Sequence, residues 1–96
     1  MATIDIRHPH TLTHEAARAK AEDLARDMKE RMGIDWKWEG DHIRFDAPSG
    51  TAKGTTGSVQ VTTAEVRVQI DLPFMLRPMK GMVESKVRDK LGRILG

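Results

Sequence analysis

Imidazoles, carboxylates and hydroxyls are the groups most able to catalyse or to bind metal, and their arrangement in this chain favours neither. His8, His10 and His14 gather around a segment interrupted by Pro9, and imidazoles on a mobile loop can converge on zinc. Their spacing matches no tight ligand pattern, and no cysteine or well-placed carboxylate completes a shell. The simpler reading is a solvated loop. His42 stands apart, just after a turn, and is expected to be exposed. The glycine stretch SGTAKGTTG at 49–57 has the ingredients of a phosphate loop, but Lys53 precedes Gly54 and a strand, not a helix, comes next. Ser49, Ser58 and Ser85 lie in no elbow or triad context. Asp35 and Asp46 can face each other across a hairpin, but on a polar face with no pocket to raise a pKa. The expectation is a protein that is not an enzyme, with no cofactor and no metal.

The apolar and basic residues are more suggestive. Trp36 and Trp38 share a face and are half of the aromatic residues. Core packing is the plain role for them, and the wall of an apolar pocket is the alternative. Met28, Met32, Met75, Met79 and Met82 supply a soft, adaptable lining. Phe74, Met75 and Leu76 sit between Pro73 and Pro78, where full burial is difficult, and an exposed apolar patch of that kind marks a contact surface. The candidate ligand or surface contacts are therefore Trp36, Trp38, Phe74, Met75, Leu76, Met79 and Met82. Close by, Arg77, Lys80, Lys86, Arg88, Lys90 and Arg93 face only Glu84 and Asp89 in the same segment. These six are candidate contacts for an anionic partner. The plain alternative is a solvated helix face with cations near the C-terminal dipole. No aromatics interleave with these charges, which disfavours a single-strand nucleic-acid platform.

The chain has 96 residues, 39% hydrophobic and 31% charged, with a net charge of +2. That suits a single folded domain over 1–96, without room for a second domain or a large internal cavity. The absence of cysteine rules out disulfides. No apolar run is long enough to span a bilayer, and the opening MATIDIRHPH lacks the apolar segment of a secretory signal. A cytoplasmic protein is expected.

The elements that would position these residues follow from periodicity. Residues 2–7 alternate as a short strand, broken at His8-Pro9-His10. Thr13 is a helix N-cap, residues 14–32 are rich in helix formers, and Gly33 fits a left-handed C-cap. Ala17, Ala21, Leu24, Ala25, Met28 and Met32 form its buried stripe. Residues 34–39 and 42–47 alternate around a Gly40-Asp41 turn, in a register that sets Trp36 against Phe45 and Trp38 against Ile43. The same register opposes Lys37 to Arg44 and Asp35 to Asp46. Gly50, Gly54 and Gly57 suggest a bend at an uncertain strand start. Val59 and Val61 then lead through a turn near Thr63-Ala64 into Val66, Val68, Ile70 and Leu72.

A lead-in over 72–78 and a helix to 96 complete the chain, with Pro78 in the first helical position. Met79, Met82, Val83, Val87, Leu91, Ile94 and Leu95 fall on one helical face. Gly81 and Gly92 imply either close packing or a bend. The expected fold is α+β: a curved antiparallel sheet of about five strands in the order β-α-β-β-β-β-α, the first strand beside the last and the C-terminal helix packed on the sheet.

Three segments, IDIRHPHTLTHEAARAKAEDLA, SGTAKGTTGSVQV and VRVQIDLPFMLRPMKGMVESKVRDKL, together resemble the polyhydroxyalkanoic acid system proteins, small bacterial proteins encoded near polyester-granule genes. The resemblance covers nearly the whole chain and carries no catalytic signature. It implies a cytosolic accessory role in polyhydroxyalkanoate storage, with the granule or its coat proteins as partners. The expected architecture is also similar to a reduced helix-grip fold, as in lipid-binding and polyketide-cyclase-like proteins, which keeps an acyl-ligand module open as an alternative. A nucleic-acid-binding regulator is a weaker third reading, and an edge strand with an apolar loop also permits a homo-oligomer.

Overall fold

Apolar alternation and turn chemistry produce five strands and two helices in the computed structural model, which describes residues 3–50 and 52–95. Strand β1 (Ile4–Pro9) is followed by helix α1 (His14–Met32), the strands β2 (Asp35–Glu39), β3 (His42–Asp46), β4 (Thr56–Val61) and β5 (Glu65–Asp71), and helix α2 (Lys80–Leu95). The sheet is antiparallel throughout, in the order β1-β5-β4-β3-β2. The first strand thus pairs with the last, and α1 crosses the sheet from one edge to the other. The strand start expected at Ala2 and the helix end expected at Gly96 lie outside the described residues.

The α1 boundaries follow from its caps. Thr13 Oγ1 accepts the Ala16 amide at 3.1 Å, and Gly33, at φ +68°, donates its amide to the Lys29 carbonyl at 2.9 Å. The hairpin register is Trp36 opposite Phe45 and Trp38 opposite Ile43, with Gly40 at φ +65° in the turn. The opposed cations Lys37 and Arg44 share one anion: Glu39 lies 3.5 Å from each.

Two sequence expectations are corrected, and one of two open alternatives is removed. β1 does not break at His8 but runs to Pro9. It is an edge strand, so an imino nitrogen facing outward costs no ladder bond. The residues before α2 are not a plain loop but a 3-10 turn, Phe74–Met79, closed by the Leu76 amide on the Pro73 carbonyl at 2.9 Å. Pro78 lies inside that turn, and without an amide proton it delays regular α-helix to Lys80. Gly81 and Gly92 have nothing within 4 Å of the place a Cβ would occupy, so close packing does not account for them.

All apolar strand residues face one side. Ile4 and Ile6 stand opposite Ile70 and Val68, Val59 lies between Val68 and Ile43, and these side chains are buried. Helix α1 covers β2, β3 and β4 through Ala17, Ala21 and Leu24, whose small neighbours permit close approach. Helix α2 packs on β1 and against α1 through Val87, Leu91 and Leu95. The C-terminal helix therefore packs on the sheet but shares that face with α1. On the opposite, polar face Arg67 donates two hydrogen bonds to Asp5, at 3.0 and 2.7 Å. The hydrogen bonds from Arg67 hold the Asp5 carboxyl below the usual carboxylate range.

Candidate functional site

The face shared by two helices leaves a cleft of about 680 Å³ between them, within the roughly 300–1,000 Å³ of small-molecule sites. Leu24, Met28 and Met32 line it from α1, and Met82, Val83 and Val87 from α2. Leu76 and Met79 of the 3-10 turn also line it, and Ile34, Phe45, Ile70, Leu72, Ala52 and Thr55 line it from the sheet and its loops. The cleft is half open, so the expectation that the chain has no room for a large enclosed cavity is compatible with it.

The glycine stretch supports this cleft. Gly54, at φ +93°, brings its backbone so close to Pro73 that a Cβ would meet the ring at 3.3 Å. The Gly54 amide donates to the Ala47 carbonyl at 3.0 Å, and the Ala47 amide to the Thr55 carbonyl at 2.8 Å. Strand pairing thus continues past β3 and seats Ala52 and Thr55 against the cleft. Thr55 is buried, and its Oγ1 has no hydrogen-bond partner among the described residues. A buried hydroxyl left unpaired is unfavourable by about 1–3 kcal/mol.

Charge is unevenly distributed around the opening. Asp27, Arg31, Lys86, Asp89, Lys90 and Arg93 reach it. Arg31 is bound to Asp27 at 3.0 Å. Among the described residues no ion pair within 4 Å engages Lys86, Lys90, Arg93 or Asp89, which leaves three cations to one anion.

The structure divides the residues singled out in the sequence. Leu76, Met79 and Met82 meet in the cleft with Met28 and Met32, and Lys86, Lys90 and Arg93 stand at its mouth. Met79 and Met82 share one apolar face with Val87, Leu91 and Leu95 of α2 but remain 42% and 48% exposed, facing the open cleft. Phe74 and Met75 lie outside the cleft, at 84% and 87% exposure. Arg77 and Lys80 are exposed beside them, and Arg88 reaches Glu84 at 3.5 Å.

The tryptophans are elsewhere. Trp38 is clamped by α1: the Arg18 guanidinium lies 4.1 Å from its ring centroid, and its Nε1–H donates to Glu22 at 3.1 Å. Trp36 borders a second, shallower concavity of about 690 Å³ that runs onto the polar face of the sheet, with Arg44, Asp46 and Ser58. Asp35 and Asp46 do face each other and border this concavity, which the sequence reading had not placed there. Both are exposed.

His10 and His14 approach successive backbone carbonyls, those of Thr62 and Val61. His10 is buried, against the expectation of a solvated loop. Its Nδ1 accepts the Leu12 amide at 3.1 Å, so Nε2 carries the proton and donates to the Thr62 carbonyl at 2.9 Å. That pins the end of β1 to the β4–β5 turn, a structural role. Among the described residues no group of three or more His, Cys, Asp or Glu is placed to hold a metal ion. Nor, among them, is any helix long and apolar enough to cross a membrane.

Sequence reasoning missed Ala52 and Thr55. Their one signal was the density of glycines around them, which marks backbone packed closely against something else.

No curated protein and no solved structure matches the chain. A family model described as "putative polyhydroxyalkanoic acid system protein" matches residues 4–95. With that match running through both helices and every strand, the chain belongs to the polyhydroxyalkanoic acid system protein family.

Proposed function

We propose that this protein is a non-catalytic, cytoplasmic accessory factor of polyhydroxyalkanoate storage that adsorbs to the polyester surface through the start of α2 and the turn before it. One observation carries the reading. The exposed large hydrophobic side chains among the described residues, Phe74, Met75, Met79 and Met82, all fall within residues 74–82. Large apolar side chains left exposed together in one short segment of a folded chain mark a contact surface. A stored polyester presents an extended apolar surface to water, and membership of a polyhydroxyalkanoic acid system family supports that choice of surface. Arg77 and Lys80 flank the patch and favour an anionic coat around it.

The test is co-sedimentation of purified protein with washed polyhydroxyalkanoate granules. Phe74 and Met75 are nearly free of the fold, so the Phe74→Ser/Met75→Ser variant should keep the wild-type melting temperature. Burying two such side chains halfway is worth about 1.5–3 kcal/mol, so the variant should bind granules about tenfold to a hundredfold more weakly. Wild-type protein that stays in the supernatant, or a variant that pellets as well as wild type, would sink the proposal.

A further inference from the structure

We infer that the cleft between α1 and α2 is a binding site for one medium-chain aliphatic hydroxy acid. The cleft meets the adsorbing patch at Met79 and Met82 but reaches beyond it: Met28, Met32 and Ile34 line the cleft, while Phe74 and Met75 do not. Apart from Phe45, its apolar walls are aliphatic or methionine, which suits a flexible hydrocarbon chain better than a flat ring. Its mouth carries Lys86, Lys90 and Arg93 against Asp89, an excess of positive charge that complements a carboxylate. The third observation concerns the interior. Thr55 lines the cleft with its Oγ1 buried and unpaired among the described residues. A jump of about 120° between staggered rotamers carries its hydroxyl to the position its methyl held and lets it offer one hydrogen bond to the occupant. A plain hydrocarbon chain leaves that bond unmade, whereas a hydroxyl on the chain completes it. The choice of a hydroxy acid over a plain fatty acid draws on the polyester reading above; the cleft and its charged mouth do not.

The experiment uses the full chain with methionine ε-methyl groups labelled with carbon-13, titrated with octanoate, decanoate and 3-hydroxydecanoate below their micelle concentrations. The methyl resonances of Met28, Met32, Met79 and Met82 should move together, and that of Met75 should stay. Affinity should rise about two- to fourfold per added methylene, and 3-hydroxydecanoate should bind roughly two- to tenfold more tightly than decanoate. Thr55→Val should erase that preference while raising the melting temperature of the free protein, since it removes an unpaired hydroxyl. Lys86→Gln/Lys90→Gln should weaken decanoate binding in a salt-dependent way and leave 1-decanol binding unchanged.

Shifts at Met75 without Met28, or an affinity flat in chain length, would overturn the site. Equal affinity for the two ten-carbon acids would overturn the choice of hydroxy acid. If the methyls of Met28 and Met82 shift on dilution without ligand, a second copy covers the cleft and the inference falls. None of these results depends on granule binding, which the Phe74→Ser/Met75→Ser variant tests separately.

Discussion

Replacing Gly57 by alanine should be among the most damaging single-methyl additions to this protein. Gly57 lies in β4, the central strand, between Phe45 on β3 and Ile70 on β5. A Cβ at this position would sit 2.3 Å from the Gln69 carbonyl oxygen and 2.5 Å from Phe45 Cζ. Two effects oppose each other. Alanine restricts the unfolded chain and should favour a strand by about 0.5–1 kcal/mol over glycine. Against that, ordinary contact requires the carbonyl or the methyl to retreat by about 1 Å. The carbonyl belongs to the neighbouring strand and cannot rotate away, and the ring is held in the core at 3% exposure. Overpacking costs about 1–3 kcal/mol, and a clash with a fixed backbone carbonyl belongs at the upper end, so the clash wins. For a chain of this size a net loss of about 2–3 kcal/mol lowers the melting temperature by about 8–24 °C. Thermal unfolding followed by circular dichroism measures it. Shaving the ring with Phe45→Leu should relieve only part of the loss, because the carbonyl clash remains. A Gly57→Ala protein as stable as wild type would refute the close stacking of Phe45 on β4, and with it the placement of Phe45 beside the cleft.

The same substitution elsewhere should have the opposite sign. Gly92→Ala adds a methyl into open space on α2 and should raise stability by about 1 kcal/mol, a gain readable in urea melts; a loss would mean the helix is bent or contacted at that residue. Trp38→Phe keeps a ring beneath Arg18 but removes the hydrogen bond to Glu22, and should cost about 1 kcal/mol, with a smaller cost in a Glu22→Gln background. The Asp5–Arg67 pair sets a pH dependence. Because Arg67 lowers the folded-state pKa of Asp5, its contribution is fully present above the ordinary carboxylate pKa and is lost as pH falls through the lowered value. Asp5→Asn should therefore flatten the acid limb of the melting-temperature profile and leave its neutral-pH slope unchanged; identical acid limbs would remove the pair from the account.

Much of the architecture was legible in the amino-acid order because it rests on short-range rules. Thr13 and Gly33 mark the ends of α1 since an N-cap hydroxyl and a left-handed glycine satisfy orphan backbone groups locally. The pairing of Trp36 with Phe45 and Trp38 with Ile43 follows from strict alternation around a glycine turn. What periodicity conveys is the face of a helix on which a residue stands. It does not convey how far the neighbouring element extends over that face. Met79 and Met82 share the apolar face of α2 by spacing and yet stay partly exposed, because they border an open cleft while Leu91 meets a filled core. The cleft, the unpaired Thr55 hydroxyl inside it and the burial of His10 depend likewise on packing between segments far apart in the chain. Local propensity could place the helices and strands, but the gap between two helices on one sheet is set by volumes and crossing geometry, which only the folded chain decides.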